Sequence, residues 1–430
     1  MNFSMFSESL SWYFVRAVGA MSSGALIGQA LIFIALPILT KLYDPESFGQ
    51  FAIYTTWLSN LLVLMTGRYE LALMLPENEK RASNLVVLAL VINSIMGLLL
   101  MLVISVVASI LAGWIHDPAM VDWFLWLPLA LLLAGASQVF FQWNNRQRRD
   151  HTNVVAPIIR AIVMVITQIM GGYLGMGGIG LLIGHITGQL ALLIAYAWHD
   201  MVQCFPWRKL STWAGMKAEA KAYVKFPIIT MPQTFIGGLQ DPLCFMLVGI
   251  LSGSWMIGLL GIMLRVIRMP AMLIGTAIAQ IAYREMTALY HTQGNLAHFY
   301  LKLLCILCVL SLFPALLLVF FGQSLFVWVF GEVWRMAGAM AAVFSPYMVG
   351  YFLVTSLGML PLVLGKQQVT FYFTVLSCLL HVGGLMFGWF IWQDIQLALY
   401  FIAALQSIFF IGYLGWLYRM AKRATLSYPT

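Results

Sequence analysis

The chain has 430 residues, of which 62% are hydrophobic and only 9% are charged, and its formal net charge is +8 at pH 7. Soluble globular proteins carry about 25% charged residues, so this composition excludes a soluble globular chain. It predicts an all-α polytopic membrane protein. The positive charge requires no nucleic-acid partner, because basic residues collect at the cytoplasmic face of membrane proteins and meet anionic lipid there.

Apolar runs of about 20 residues predict membrane-spanning helices, because a rise of about 1.5 Å per residue then crosses the hydrocarbon core. The opening stretch "MNFSMFSESLSWYFVRAVGA" lacks the pattern of a cleaved signal peptide, so the first span itself is expected to direct insertion. The chain contains twelve such runs, at 17–39, 48–75, 83–113, 122–142, 154–174, 177–198, 227–251, 255–281, 301–321, 338–364, 370–392 and 396–418.

The lysine and arginine residues orient these spans. In the loops of one side only Lys41 and Arg335 are basic, whereas most of the 23 basic residues fall on the side that holds both termini. Because basic loops stay in the cytoplasm, both termini are predicted to be cytoplasmic. The outer loops are short, which argues against a membrane enzyme with a large outer catalytic loop.

The longest loop, "HDMVQCFPWRKLSTWAGMKAEAKAYVKFP", joins the sixth and seventh spans. It predicts an N-terminal six-helix lobe at 1–200, a basic cytoplasmic linker at 201–226 and a C-terminal six-helix lobe at 227–430. Two six-helix repeats are a common transporter plan, with the substrate site near the membrane midplane. Within the linker, lysines recur every four residues, which favours a basic amphipathic helix on the membrane surface; a solvated linker is the alternative. These lysines are Lys217, Lys221 and Lys225.

Six ionisable residues fall inside the predicted spans, where each is a functional-site hypothesis because charge is costly in lipid. The four arginines outnumber the two carboxylates, and the planar fork of arginine suits phosphate oxygens. This excess favours a cavity that binds an anion, with a purely structural charge network as the alternative. The six residues are Arg68, Glu70, Arg160, Asp241, Arg265 and Arg268, of which Asp241 and Arg265 lie nearest the midplane.

Spacing suggests how these charges pair. Arg265 and Arg268 share a helix face at i and i+3, and Asp241 on the neighbouring span cannot neutralise both. Residues at i and i+2 of a helix point to opposite sides, so Arg68 and Glu70 are expected not to pair with each other. Glu70 is expected to meet another helix, with Arg160 as a candidate partner, while Arg68 faces the cavity mouth. A structural clamp is the equal alternative for Arg68 and Glu70.

The chain lacks the pattern of a nucleotide-driven pump. The stretch around Gly365 and Lys366 has neither the glycine spacing nor the hydroxyl residue of a P-loop. Transport is therefore expected to use an ion or substrate gradient, with Asp241 and Glu70 as candidate ion-coupling or counter-charge residues. The histidines inside spans, His185 and His381, are read first as buried structural residues and second as proton relays. The chain is expected to be neither an enzyme nor a holder of a metal or cofactor.

Three stretches resemble a known family. "LTKLYDPESFGQFAIYTTW", "GRYELALMLPENEKRASNLV" and "LSGSWMIGLLGIMLRVIRMP" are similar to segments of bacterial oligosaccharide (O-antigen repeat-unit, Wzx-type) flippases of the MOP (MATE-like) transporter superfamily. The resemblance implies two six-helix lobes that form a V around a cavity open alternately to each side. It also implies movement of an undecaprenyl-pyrophosphate-linked O-antigen or similar repeat unit from the cytoplasmic to the periplasmic leaflet of the bacterial inner membrane.

The resemblance also implies site residues and partners. Peptidoglycan-precursor flippases of the same superfamily use cavity arginines on helices one, two and eight. Arg16, Arg68 and the pair Arg265 and Arg268 occupy those helices here, and with Arg160 they are the expected ligands of the pyrophosphate or an anionic glycan. The implied partners are the lipid-linked oligosaccharide, membrane lipids, H+ or Na+, and polysaccharide polymerase or chain-length machinery.

Three other functions remain open from the sequence. The same fold serves multidrug cation exporters, although an arginine-rich interior disfavours cationic substrates. A non-transporting membrane component of a polysaccharide assembly complex would tolerate loss of Arg265 and Arg268. A carrier of a soluble sugar or anion would work without a lipid carrier.

Overall fold

The computed structural model of the chain describes residues 24–205, 207 and 210–426. These residues fold into helices joined by short turns, and no β-strand occurs among them. The chain divides into two compact units, Met1–Gly238 (unit 1) and Leu239–Thr430 (unit 2).

The described residues of unit 1 form eight helices. Between the second and third lies a 3₁₀ turn, Tyr69–Met74, and before the eighth lies a π-helical turn, Phe226–Thr230. The helices are α1 (Gly24–Leu42), α2 (Pro45–Met65), α3 (Glu79–Ile115), α4 (Met120–Arg146), α5 (Asp150–Tyr173), α6 (Gly178–Val202), α7 (Trp213–Ala222) and α8 (Met231–Gly237).

The described residues of unit 2 form another eight helices. A π-helical turn, Ala271–Gly275, joins the first two of them, and a 3₁₀ turn, Glu332–Trp334, precedes the fourth. The helices are α9 (Gln240–Pro270), α10 (Thr276–His291), α11 (Leu296–Phe330), α12 (Arg335–Val343), α13 (Ser345–Leu357), α14 (Leu360–Val363), α15 (Gln367–Trp392) and α16 (Ile395–Leu426).

The described residues include ten helices that are long and apolar enough to cross a membrane, so the chain is a multi-pass membrane protein. One of them, Gln240–His291, runs through α9, the π-helical turn and α10 and is 52 residues long. Its length of about 78 Å far exceeds a hydrocarbon core of about 30 Å. Gly253 divides it, with φ 76° and ψ 178°, a backbone region that essentially only glycine adopts. The parts of this helix before and after Gly253 count as two spans, and α2 supplies the second predicted span. With these additions the ten helices give the predicted plan of about twelve spans.

The second predicted span, 48–75, is not one continuous helix. The helix α2 ends at Met65, and the chain then takes a left-handed turn through Gly67 (φ 59°) and Arg68 (φ 62°). Glycine enters this region without steric cost, so Gly67 provides a stop that hydrophobicity alone does not reveal. The turn gives the following 3₁₀ segment a new direction.

The predicted linker helix is shorter than expected and is part of unit 1, where it packs against α3. The helix α7 ends at Ala222, so Lys217 and Lys221 are exposed on it while Lys225 lies beyond its end. Arg81 of α3 holds Glu219 of α7 through two bonds of 2.7 and 3.0 Å. Farther along, α8 contacts α2, so the first part of the seventh predicted span packs within unit 1.

Close helix contacts in unit 1 hold α5 against its neighbours. A Cβ added at Gly171 of α5 would lie 2.8 Å from the Cα of Gly180 of α6, and one added at Gly28 of α1 would lie 2.8 Å from the carbonyl oxygen of Pro157 of α5. Such approaches require glycine, because a larger residue would force the helices apart. They fix the position of Arg160, which lies between Pro157 and Gly171 on α5.

Unit 2 has its core where α10, α11, α13 and α16 meet. Tyr300, Leu357 and Leu417 are fully buried there, and the Tyr300 hydroxyl donates a hydrogen bond of 3.1 Å to the Leu414 carbonyl. A buried tyrosine needs such an acceptor, since an unpaired hydroxyl is costly away from water. This core supports α13, which carries Tyr347 and Tyr351.

Candidate functional site

The turn after α2 brings Arg68 and Glu70 together. The Nη1 of Arg68 lies 3.4 Å from Oε1 of Glu70, and the Thr66 hydroxyl donates a short hydrogen bond to Oε2 of Glu70. The prediction that Arg68 and Glu70 do not pair is therefore wrong, because it assumed one continuous helix. The suggested partnership of Glu70 with Arg160 is also wrong, since no ion pair joins them in the described part of the chain.

This turn is anchored from several directions. Glu70 is only 2% exposed, the Tyr69 hydroxyl donates to the Ala220 carbonyl at 3.0 Å, and Arg146 Nη1 donates to the Leu73 carbonyl at 2.9 Å. The Nε of Arg68 is buried and has no hydrogen-bond partner among the described residues. The local geometry thus gives both oxygens of Glu70 a partner and leaves one buried donor of Arg68 unpaired among the described residues.

Arg160 of α5 lines a cavity of about 390 Å³ within unit 1. Helices α1, α2, α4, α5 and α6 all contribute to its wall. We call it the unit 1 cavity, and its lining residues are Ala25, Gly28, Gln29, Ile32, Leu62, Ala134, Ser137, Gln138, Phe141, Pro157, Arg160, Gln189, Leu192 and Tyr196.

The described residues around Arg160 include polar groups but no counter-ion. Tyr54 and Tyr196 interact electrostatically with its guanidinium, and no carboxylate forms an ion pair with it in the part of the chain that the structure describes. His185 is buried and lies 3.2 Å through Nδ1 from the Tyr54 hydroxyl. His185 is thus a buried, hydrogen-bonded residue, which agrees with the first of the two interpretations made from the sequence.

Unit 2 places Arg268 in a different environment. Its Nη1 and Nη2 donate to the two carboxylate oxygens of Asp241 at 2.7 and 3.1 Å, a bidentate pair. Its Nε and Nη2 also donate to the Tyr347 hydroxyl at 3.2 and 2.8 Å, and its guanidinium lies 5.3 Å from the centre of the Tyr351 ring. Asp241 and Tyr347 together therefore satisfy the arginine fork.

Asp241 remains accessible despite this pairing, because 38% of its side chain is exposed while Arg268 is 15% exposed. Arg265 lies one turn earlier on α9 and is half-buried. Arg16 lies outside the described residues. Of the predicted site residues of unit 2, the structure brings Asp241 and Arg268 into direct contact.

A polar network beside Asp241 escaped the sequence reasoning. The Ser377 hydroxyl of α15 contacts the side-chain oxygens of Gln240 and Gln406 at 3.3 and 3.2 Å, and Gln406 Nε2 donates to the Ser377 carbonyl at 2.8 Å. Gln240 Nε2 lies 3.4 Å from Nδ1 of His381. Uncharged amides inside apolar runs, such as Gln240 and Gln406, were the available signal; attention to charge alone missed them.

A family profile for polysaccharide biosynthesis proteins matches residues 38–339. The chain belongs to this family. The match includes α2 to α6 of unit 1 and the first helices of unit 2, and therefore Arg68, Arg160 and Arg268. No curated protein that was compared matches the chain.

Solved structures of transporters share the fold of this polysaccharide biosynthesis protein. The chain is similar to an inward-facing multidrug resistance MATE family transporter of the MOP superfamily, with a TM-score of 0.71 at 12% identity, covering 96% of this chain and 100% of that one. It is also similar to the lipid II flippase MurJ in an inward closed conformation, with a TM-score of 0.63 at 10% identity, covering 97% and 90%.

A third similar structure is a MOP superfamily transporter from Pyrococcus furiosus, described as having a binding pocket of reverse polarity. It has a TM-score of 0.56 at 13% identity and covers 95% of this chain and 96% of that one. With the family match, these likenesses confirm the resemblance to the MOP superfamily and the all-α polytopic fold class.

Proposed function

We propose that the protein is a flippase that moves an undecaprenyl-pyrophosphate-linked oligosaccharide, an O-antigen or similar surface-polysaccharide repeat unit, from the cytoplasmic to the periplasmic leaflet of the bacterial inner membrane. The observation that carries the proposal is the arginine-bearing interior of a chain that belongs to the polysaccharide biosynthesis family. A transporter of cationic drugs would need carboxylates in the position that Arg160 occupies.

The chemistry of the substrate agrees with these arginines. A pyrophosphate presents several anionic oxygens, which guanidinium groups bind with charge-assisted, often bidentate hydrogen bonds. Intramembrane arginines are costly and are retained where water or an anion meets them. We assign the pyrophosphate or an anionic glycan to the set Arg16, Arg68, Arg160, Arg265 and Arg268.

The contact between Arg268 and Asp241 offers a route to ion coupling. An anion that binds Arg268 through both Nη atoms competes with the Asp241 carboxylate, because that carboxylate accepts a hydrogen bond from each of them. Uptake of H+ or Na+ by the released Asp241 then becomes favourable, because an unpaired charge in a membrane interior is costly. Alternating access would thus exchange substrate for the ion at unit 2, with Glu70 as a structural counter-charge in unit 1.

A multidrug exporter is the second candidate, because the multidrug resistance transporter shares the fold with a TM-score of 0.71. The arginines favour an anionic substrate over a cationic drug. A non-transporting role in a polysaccharide assembly complex would also suit the family, and so would contact with polymerase or chain-length machinery by a transporter. Only the transport proposals predict that interior arginines matter.

The test is deletion of the gene in its host and complementation at equal protein level. The complementing genes encode the wild type, the double variant Arg265→Ala/Arg268→Ala, or the control Arg335→Ala, which removes an arginine that is 54% exposed and pairs with Glu332. The readouts are surface polysaccharide and undecaprenyl-linked oligosaccharide in the membrane fraction.

The proposal expects loss of surface polysaccharide and accumulation of the lipid-linked precursor on the cytoplasmic side. The wild type and Arg335→Ala should restore both readouts, and the double variant should not. Unchanged polysaccharide in the deletion strain would reject the oligosaccharide assignment and direct attention to drug transport. Full rescue by the double variant would retain the function and reject Arg265 and Arg268 as its site.

A further inference from the structure

The unit 1 cavity contains three buried polar atoms without hydrogen-bond partners in the described structure. They are Nε of Arg160 on α5, Oε1 of Gln138 on α4 and Oε1 of Gln189 on α6. Buried polar atoms are normally paired, and each unpaired one requires an explanation. Three on three different helices around one cavity point to a ligand that pairs with all of them.

The cavity is large enough to hold a small molecule, and polar side chains interrupt its mainly apolar wall. A volume of about 390 Å³ has room for several water molecules, because one buried water needs only about 10–15 Å³ of such space. It also lies in the usual size range of small-molecule sites, about 300–1,000 Å³. A single halide ion or acetate would occupy only a small part of it.

One side of the cavity is open and another is aromatic. In the part of the chain that the structure describes, Ala25 and Gln29 of α1 are exposed, and a group can enter past them. Phe141 and Tyr196 lie against each other with ring centres 5.8 Å apart, and both line the wall. Their flat apolar faces suit the C–H face of a sugar ring, while the amides and the guanidinium suit its polar substituents.

The unpaired atoms define the ligand's hydrogen-bonding groups. Arg160 is a cation that only donates, so an anionic acceptor both pairs with it and neutralises its charge. The two amide oxygens accept, so they require donors such as hydroxyl groups. A simple anion lacks those donors, and a neutral sugar lacks the charge.

We propose that the unit 1 cavity binds an acidic sugar residue, with its carboxylate on Arg160 and its hydroxyl groups on Gln138 and Gln189. The assignment of this sugar to the glycan of a lipid-linked oligosaccharide rests on the proposed function. Gln138 and Gln189 are then specificity-determining residues, and the protein handles a repeat unit that contains a uronic acid.

Binding of soluble probes to the purified full-length protein tests the site by isothermal titration calorimetry. Glucuronate carries both the carboxylate and the hydroxyl ring, glucose has the ring without the charge, and acetate has the charge without the ring. The variants are Arg160→Gln, Gln138→Leu and Gln189→Leu. The matched control is Arg284→Gln, because that arginine is 67% exposed in unit 2.

Glucuronate should bind at least about tenfold more tightly than glucose or acetate, as expected when buried donors and acceptors are paired only by the matching ligand. Arg160→Gln should remove the preference over glucose, each leucine variant should reduce the preference over acetate, and Arg284→Gln should change neither. Each variant should elute from a size-exclusion column as a single species, which shows that a loss of binding is not caused by a loss of folding. Equal binding of acetate and glucuronate, unaffected by both leucine variants, would overturn the proposal in favour of a plain anion site.

The gene-deletion experiment separates this inference from the proposed function. If glucuronate binds as expected but deletion leaves polysaccharide and lipid-linked precursor unchanged, the site is supported and the flippase proposal fails. If deletion blocks polysaccharide export but no probe binds, the acidic-sugar site is rejected and the flippase proposal stands.

Discussion

Arg160 in unit 1 and Arg268 in unit 2 are both intramembrane arginines, yet their surroundings differ in kind. Arg268 is held by a bidentate carboxylate and a phenol, whereas Arg160 faces a cavity in which two glutamine oxygens have no partner among the described residues. A compensated arginine stabilises its helices and must be released before it binds anything else. An uncompensated arginine costs stability and is available to a ligand at once.

Removal of the Arg268 side chain should produce the largest loss of stability. Arg268→Ala leaves the Asp241 carboxylate without its partner, at a cost of about 2–3 kcal/mol, below the value for a fully buried pair because Asp241 is 38% exposed. The measurement is the thermal midpoint of the purified protein in one detergent. The double variant Arg268→Gln/Asp241→Asn should recover most of the loss; no recovery would mean that Arg268 acts through contacts other than Asp241.

Arg160→Met should have the opposite sign. It removes a charge that has no carboxylate partner among the described residues, so we expect a gain of roughly 1 kcal/mol in the absence of ligand. The same thermal midpoint measures it, with Arg284→Met as the exposed control. A loss as large as that of Arg268→Ala would show that Arg160 is also compensated and would remove the contrast between the units.

The phenol beside Arg268 should have a smaller effect. Tyr347→Phe deletes an acceptor that receives hydrogen bonds from Nε and Nη2 of Arg268, at a cost of about 1 kcal/mol. The ring stays in place, so packing against Phe410 and Tyr351 is retained. Additivity of Tyr347→Phe with Arg268→Ala in the thermal midpoint would contradict this account, because the two changes remove the same interaction.

The exposed ion pair between Glu332 and Arg335 should have the smallest effect. The hydrogen bond from Arg335 to Glu332 lowers the pKa of that carboxyl, with the arginine's charge adding to it. A lowered pKa stabilises the fold above the ordinary glutamate value, and this contribution is lost as the pH falls through the lowered pKa. Because water screens the pair, Glu332→Gln should have the same thermal midpoint as the wild type at each pH between about pH 7 and pH 4, with both proteins measured side by side.

The unusual residues of both units were visible in the sequence, although their partners were not. A charge in an apolar run is conspicuous, so Arg160, Asp241 and Arg268 could be found from composition alone. The pairing of Arg268 with Asp241, 27 positions apart, depends on how α9 is broken at Gly253. From the sequence alone, the single charge of Asp241 could not neutralise both Arg265 and Arg268, and the structure pairs it with Arg268.

The turn at Gly67 and Arg68 shows the limit of reasoning from periodicity. Apolar residues flank Arg68 and Glu70 on both sides, so the sequence predicts one helix and places the two charges on opposite sides of it. The left-handed backbone at both Gly67 and Arg68 reverses this and puts the two charges 3.4 Å apart. Hydropathy measures the preference of side chains for lipid and is blind to a local change in φ.

The sequence by itself determined the multi-pass helical fold class, the predicted orientation and the existence of charged interior positions. These follow from the transfer of side chains between water and lipid, which depends on residue type and not on neighbours. Tertiary structure alone decided which arginine is neutralised and which lines a cavity, and it revealed the roles of Gln138 and Gln189. Hydrogen bonds act over about 3 Å, so pairing is settled only when helices distant in the sequence come into contact.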